Sequence, residues 1–76
     1  MGKESTIHRN SPGIYELDFV RKEGGITDPF SLMNFEIFNR IPGYVSFALV
    51  EDGYLKLEGN KVYLTDKGSK TIEKAV

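Results

Sequence analysis

No cysteine and no tryptophan occur among the 76 residues, and His8 is the single histidine. Without thiols the chain can form no disulfide, has no thiolate nucleophile and offers no sulfur ligand to a metal. A reducing compartment, the cytoplasm, is therefore the expected location. One histidine leaves no metal cluster of recognisable spacing and no Cys–His pair. A glycine-rich loop of the GxxxxGK[ST] kind, which would cradle phosphates, is also missing. The close acid pairs, Glu16 with Asp18 and Glu51 with Asp52, lie two and one residues apart, so on helices they point to different faces. The expectation is a protein that is not an enzyme and uses no cofactor and no metal. No apolar run approaches the ~18 residues of a membrane span, and the N-terminus lacks a secretory signal pattern. Charge of one sign is missing too. Ten Lys and Arg stand against eleven Asp and Glu, for a net charge of −1. Such a balance gives no global attraction to nucleic acid or to an anionic membrane, so any such binding must come from a local patch.

What is present reads as one small globular domain. The chain is 39% hydrophobic and 12% aromatic, a globular rather than a disordered composition. Seventy-six residues do not suffice for two cores. Residues 1 to 11, MGKESTIHRNS, are polar and are expected to form a flexible tail before a domain spanning 12 to 76. Met1-Gly2 with Thr6 matches the loose pattern for N-myristoylation. A start codon, a small second residue and a polar tail are the simpler account of so loose a pattern, and one nearby basic residue would help little as an anchor.

The remainder divides at its glycines and prolines. Ser11-Pro12 is a cap followed by proline at the first helical position, and Gly24-Gly25 closes the far end. Between them Ile14, Leu17 and Val20 form a stripe flanked by Tyr15 and Phe19, which predicts a helix over 12 to 23. Ile26 is expected as a lone extended residue before Thr27-Asp28-Pro29, a second cap-and-proline start. The second helix carries Phe30, Met33, Ile37 and Ile41, with Leu32, Phe35 and Phe38 widening the stripe nearly all round. On that pattern it is expected to be the most buried helix. Pro42-Gly43 ends it, and Pro42 can open a third helix over 42 to 52, with Val45 and Leu49 inward and Gly53 as its stop. Thr65-Asp66 caps a short last helix whose Ile72, Ala75 and Val76 can pack on the first.

Between those helices lies "YLKLEGNKVYLTDKG", residues 54 to 68. Glycine leading a two-residue loop favours a type II′ turn. With Gly59-Asn60 as the turn, Glu58 pairs with Lys61, Leu57 with Val62, Lys56 with Tyr63 and Leu55 with Leu64. Leu55, Leu57, Val62 and Leu64 then share one face, expected to lie beneath helices, and Lys56, Glu58, Lys61 and Tyr63 share the other. A one-residue slip would turn all four aliphatics into water, so the register is firmly specified.

The order is helix, extended residue, helix, helix, two-stranded wing, helix. Together with the run "ALVEDGYLKLEGNKVYLTDKGSKTIEKA", it resembles the winged helix-turn-helix domains of MarR-like and PadR-like prokaryotic regulators. Leu49, Glu51-Asp52-Gly53, Tyr54-Leu55 and Leu64-Thr65-Asp66-Lys67-Gly68 carry the resemblance. It covers 12 to 76 as topology and 48 to 68 as motif. It implies an α+β winged helix: a three-helix core, a two-stranded hairpin wing and a short C-terminal helix. It further implies a transcription regulator that binds duplex DNA, its third helix in the major groove and its wing on the phosphates. Carried onto this chain, the DNA-binding candidates are Arg40, Tyr44, Ser46 and Phe47 at the groove, Lys56, Asn60 and Lys61 on the wing, and Lys67 and Lys70 beyond it.

One departure weighs against base reading. Residues 42 to 52 contain no Lys or Arg and two acids, whereas bases are most often read by Arg, Lys, Asn or Gln. Phe47 and Val50 fit a core or an interface better than a groove. Lys56 and Lys61 serve equally as the solvated face of a hairpin. The expected function is still a small dimeric DNA-binding regulator, with a winged-helix protein-interaction module that binds no DNA as the alternative. Nine aromatic residues exceed the need of one small core, which predicts a homodimer, drawn here through the first and last helices.

Overall fold

A computed structural model describes residues 12–75, apart from the side chain of Ala75. The expected tail at 1–11 with its lipidation pattern, the Ser11 cap, and the packing of Ala75 and Val76 lie outside what is described. The element order is α1 (Pro12–Lys22), β1 (Ile26–Thr27), α2 (Pro29–Asn39), α3 (Tyr44–Glu51), β2 (Leu55–Glu58), β3 (Lys61–Leu64) and α4 (Asp66–Ala75). This is an α+β fold of four helices and one antiparallel sheet with strand order β1-β3-β2.

The hairpin has the register its alternation predicts, from Leu55 opposite Leu64 to Glu58 opposite Lys61. Gly59 takes φ +62° while Asn60 stays at negative φ, as a turn with glycine at its first position requires. Ile26 is not alone. It pairs with Tyr63, and Thr27 with Val62, so the sheet gains a third strand. Gly24 and Gly25, both at positive φ, swing the chain out of α1 and into that strand. The Leu64 N–H then bonds the Gly25 carbonyl at 2.8 Å.

The starts of α2 and α4 are capped by side chains, whereas α3 starts at Gly43 with no side-chain cap. Asp28 caps α2, its carboxylate accepting the Ser31 N–H at 2.8 Å. Thr65 caps α4, its Oγ1 accepting the Gly68 N–H at 3.1 Å. The same hydroxyl reaches the carbonyls of Gly53, at 2.6 Å, and Tyr54, at 3.0 Å, tying the end of α3 to the start of α4. Gly68 completes the arrangement. A Cβ there would fall inside contact distance of the Tyr54 carbonyl oxygen and 2.8 Å from Leu64 Cδ1. The Leu-Thr-x-x-Gly sequence thus has a local physical cause: a cap, a clasp and a close backbone approach.

The core lies between α1, α3, α4 and the inner sheet face. Leu17, Val20, Leu32, Leu49, Tyr54, Leu55, Val62 and Ile72 fill it, with Phe19, Val45, Val50 and Leu64 against its edge. Two expectations fail. Leu57 shares the aliphatic face of the hairpin but is 56% exposed, because it sits near the tip, beyond the helices. The larger correction concerns α2, which is not the most buried helix. It packs chiefly on α1 and buries only Leu32 and Glu36. Its end differs as well. The helix stops before Pro42-Gly43, at Arg40, which adopts the left-handed conformation with φ 56°. The Ile41 N–H returns to the Glu36 carbonyl at 2.8 Å, closing the last turn.

Candidate interaction surface

Helical geometry makes α2 a helix with two apolar sides. Residues three and four apart share a face, so Leu32, Phe35 and Glu36 look toward α1 while Phe30, Met33, Asn34, Ile37 and Phe38 look away. On the inner side Phe35 stacks on Phe19 with ring centroids 4.5 Å apart. On the outer side Phe30 is 74%, Ile37 65% and Phe38 85% exposed. In α3, Tyr44 and Phe47 also share an outward face, at 72% and 67% exposed. From residue 29 to residue 50 the only charged residues are Glu36 and Arg40. Glu36 is buried. Each of the two helices therefore presents an apolar face with almost no charge to water, and exposed apolar faces mark binding sites.

Beneath the α2 face lies a second unexpected feature. Glu16, at no exposure, and Glu36 meet between α1 and α2, and both Glu16 carboxyl oxygens and Oε2 of Glu36 lack a hydrogen-bond partner. Burial, and after it the neighbouring Glu36 carboxyl, pushes Glu16 up to about 9. Glu16 is thus protonated and neutral at pH 7, which is how a carboxyl can occupy a dry position. The exposed acids behave in the opposite way. Asp18, though partly desolvated, is held below the usual carboxylate range by Lys22 and Arg21, which bond it at 3.2 and 2.7 Å. The Ser31 N–H, more than any neighbouring charge, holds Asp28 low.

The residues expected to touch DNA are not gathered on α3. Arg40 is the left-handed residue ending α2. Tyr44 and Phe47 are exposed, and the Ser46 hydroxyl donates to the Gly43 carbonyl at 3.1 Å, an intrahelical use. Lys56 lies 3.5 Å from Glu58 on the outer hairpin face, both side chains solvated. Asn60 and Lys61 are exposed at and beside the turn. Lys67 is occupied: its Nζ donates to the Asp52 carbonyl at 2.7 Å and lies 4.5 Å from the centre of the Tyr54 ring. Tyr54 accordingly belongs to the core rather than the hairpin surface. Lys67 and Lys70 do share one feature, lining a shallow concavity on α4 with Thr71 and Lys74.

Sequence reasoning missed the outer face of α2 and the carboxyl pair. Both had a signal. An eleven-residue helix apolar on every side is more than so small a chain can cover, and Glu16 falls on the same helical stripe as Gly13, Leu17 and Val20. The first and last helices, expected to meet a second copy, direct Leu17, Val20 and Ile72 into the shared core and keep their outer faces toward solvent. Neither a cluster of metal-ligating side chains nor a helix long and apolar enough to cross a membrane occurs among the described residues. Comparison with protein-family models, with curated proteins and with solved structures finds no match for this chain.

Proposed function

We propose that the chain is a winged-helix domain that acts as a protein-interaction module in the cytoplasm, without catalysis or cofactor. The short strand between α1 and α2, which joins the hairpin in one sheet, supports the winged-helix reading. The observation that carries the function is the pair of outer faces on α2 and α3, exposed, aromatic and nearly free of charge. A duplex offers one phosphate charge per ~1.7 Å of axis, and faces whose single cation is Arg40 have little to set against it. Proteins recognise one another with the groups found here, aromatic and long aliphatic side chains, with charge depleted at the centre.

A photoreactive amino acid in place of Phe47 tests this in cells. The expected product is a covalent adduct with protein. Adducts with nucleic acid alone would overturn the reading.

One observation favours DNA binding as a second reading. Lys70 and Lys74 stand along one side of α4 beside the occupied Lys67, and Lys56, Asn60 and Lys61 lie on the hairpin. That arrangement supports phosphate contact without base reading, and so a transcription-linked role of low sequence specificity. It predicts a gel shift at about 50 mM salt that is lost steeply as salt rises. The interaction module predicts no shift at tens of micromolar protein.

A further inference from the structure

We infer that the outer face of α2 is the contact between two copies of this chain, with the two α2 helices antiparallel across a twofold axis. The inference rests on the same reading of the apolar surface and names its occupant. Phe30, Met33, Ile37 and Phe38 are spaced three, four and one apart along one side of the helix, with Asn34 among them, and all four are exposed. Together they present on the order of 600 Å² per protomer, taking ~150–250 Å² for a whole aromatic side chain. That equals the lower bound for specific interfaces, roughly 1,200 Å² over both partners. An interface at that lower bound belongs with the weak, reversible associations.

Charge selects both the partner and the direction. The only charge within α2 is Glu36, which faces α1, so two copies of this surface meet without like-charge repulsion. The ends of the helix carry opposite charges, Asp28 at its start and Arg40 at its finish. Antiparallel pairing brings the Arg40 end of each helix to the Asp28 end of the other, twice over by symmetry, where Arg40 of the partner subunit adds to the Ser31 and Lys61 that already neighbour the Asp28 carboxylate. Parallel pairing would set acid against acid and base against base. Arg40 adds a further sign. It occupies a left-handed position that glycine would fill without strain, and an ion pair with the second copy is a reason for arginine there.

An axis passing between Met33 and Asn34 puts Phe30 against Ile37 of the partner subunit. The absence of native cysteine makes the arrangement directly testable by disulfide trapping. Asn34→Cys lies at the axis, so under mild oxidation it should give a covalent dimer. Phe30→Cys should not, because its copies lie about 10 Å apart along the helices, beyond the ~7 Å Cα separation a disulfide spans. Sedimentation should show a monomer–dimer equilibrium that Phe38→Glu abolishes. Arg40→Gly should weaken it by about threefold to tenfold at low salt, as loss of exposed ion pairs does, with no fall in Tm.

A monomer at several hundred micromolar with Asn34→Cys left reduced overturns the inference. So does a dimer in which Phe30→Cys closes as readily as Asn34→Cys. Those failures leave the interaction reading standing if Phe47 still captures protein. Capture of nucleic acid alone by a chain that dimerises as described removes the reading and keeps the dimer.

Discussion

Glu16 is held protonated at neutral pH by its full burial and, after that, by the Glu36 carboxyl beside it. The unfolded group titrates near its ordinary 4.5 and the folded one near 9. Between those values only the folded state binds the proton, so the contribution of Glu16 to stability is complete below about 4.5 and falls as pH rises toward 9, by up to ~1.4 kcal/mol per unit. Glu16→Gln should flatten that slope and raise Tm at pH 8, read from thermal melts across pH. A variant that keeps the wild-type slope would show that another group is responsible. Gly68 is tested differently. A methyl group at that position must displace the Tyr54 carbonyl or the Leu64 side chain. Gly68→Ala should therefore cost about 1–3 kcal/mol in a urea melt, despite the better helix propensity of alanine. Arg40→Gly should gain up to ~1 kcal/mol by relieving the left-handed backbone. The glycines are legible in the sequence as chain breaks, but the close approach at Gly68 is not, since it depends on where Tyr54 arrives from fourteen residues away.

Secondary elements divide cleanly into those the sequence specifies locally and those set by their neighbours. The hairpin register follows from alternation and one glycine, both contained in ten residues. The caps of α2 and α4 lie in short polar motifs ahead of each helix. By contrast, β1 is two residues long and carries no period to read. It exists because β3 offers an open edge. The orientation of α2 escapes the sequence for a related reason. Apolar residues all round fix no inward side, and the side is chosen by Phe19 stacking on Phe35 and by the fit of Leu32 into the core. Two pairs of substitutions separate these cases in urea melts at low micromolar concentration. Leu32→Ala should cost about 2–5 kcal/mol, while Phe38→Ser should stay within ~0.5 kcal/mol. Leu55→Lys should unfold the domain by burying a charge. Leu57→Lys, with its side chain already in water, should leave it folded.

The whole molecule has a radius of gyration of 11.3 Å, close to the ~11 Å of a fully packed domain this size. Its exposed aromatics therefore do not reflect a loose core. Composition announces the surplus of apolar side chains but does not locate it, because location depends on which faces of four short helices are covered. If the hairpin lysines do meet phosphate, Lys56 and Lys61 changed together to Ala should reduce the salt slope by about 2 per protomer. On the interaction reading that double variant changes nothing. The Thr65 clasp carries a consequence for protein engineering. Its hydroxyl joins the two ends of the hairpin through the carbonyls of Gly53 and Tyr54, so the helices are fastened below the strands rather than by the turn. Extra residues between Gly59 and Asn60 then only enlarge a loop that is already closed, and each doubling of its length costs about 0.6 kcal/mol. The tip is thus a place to graft an epitope or a fluorophore-binding peptide, with the four helices as an undisturbed carrier.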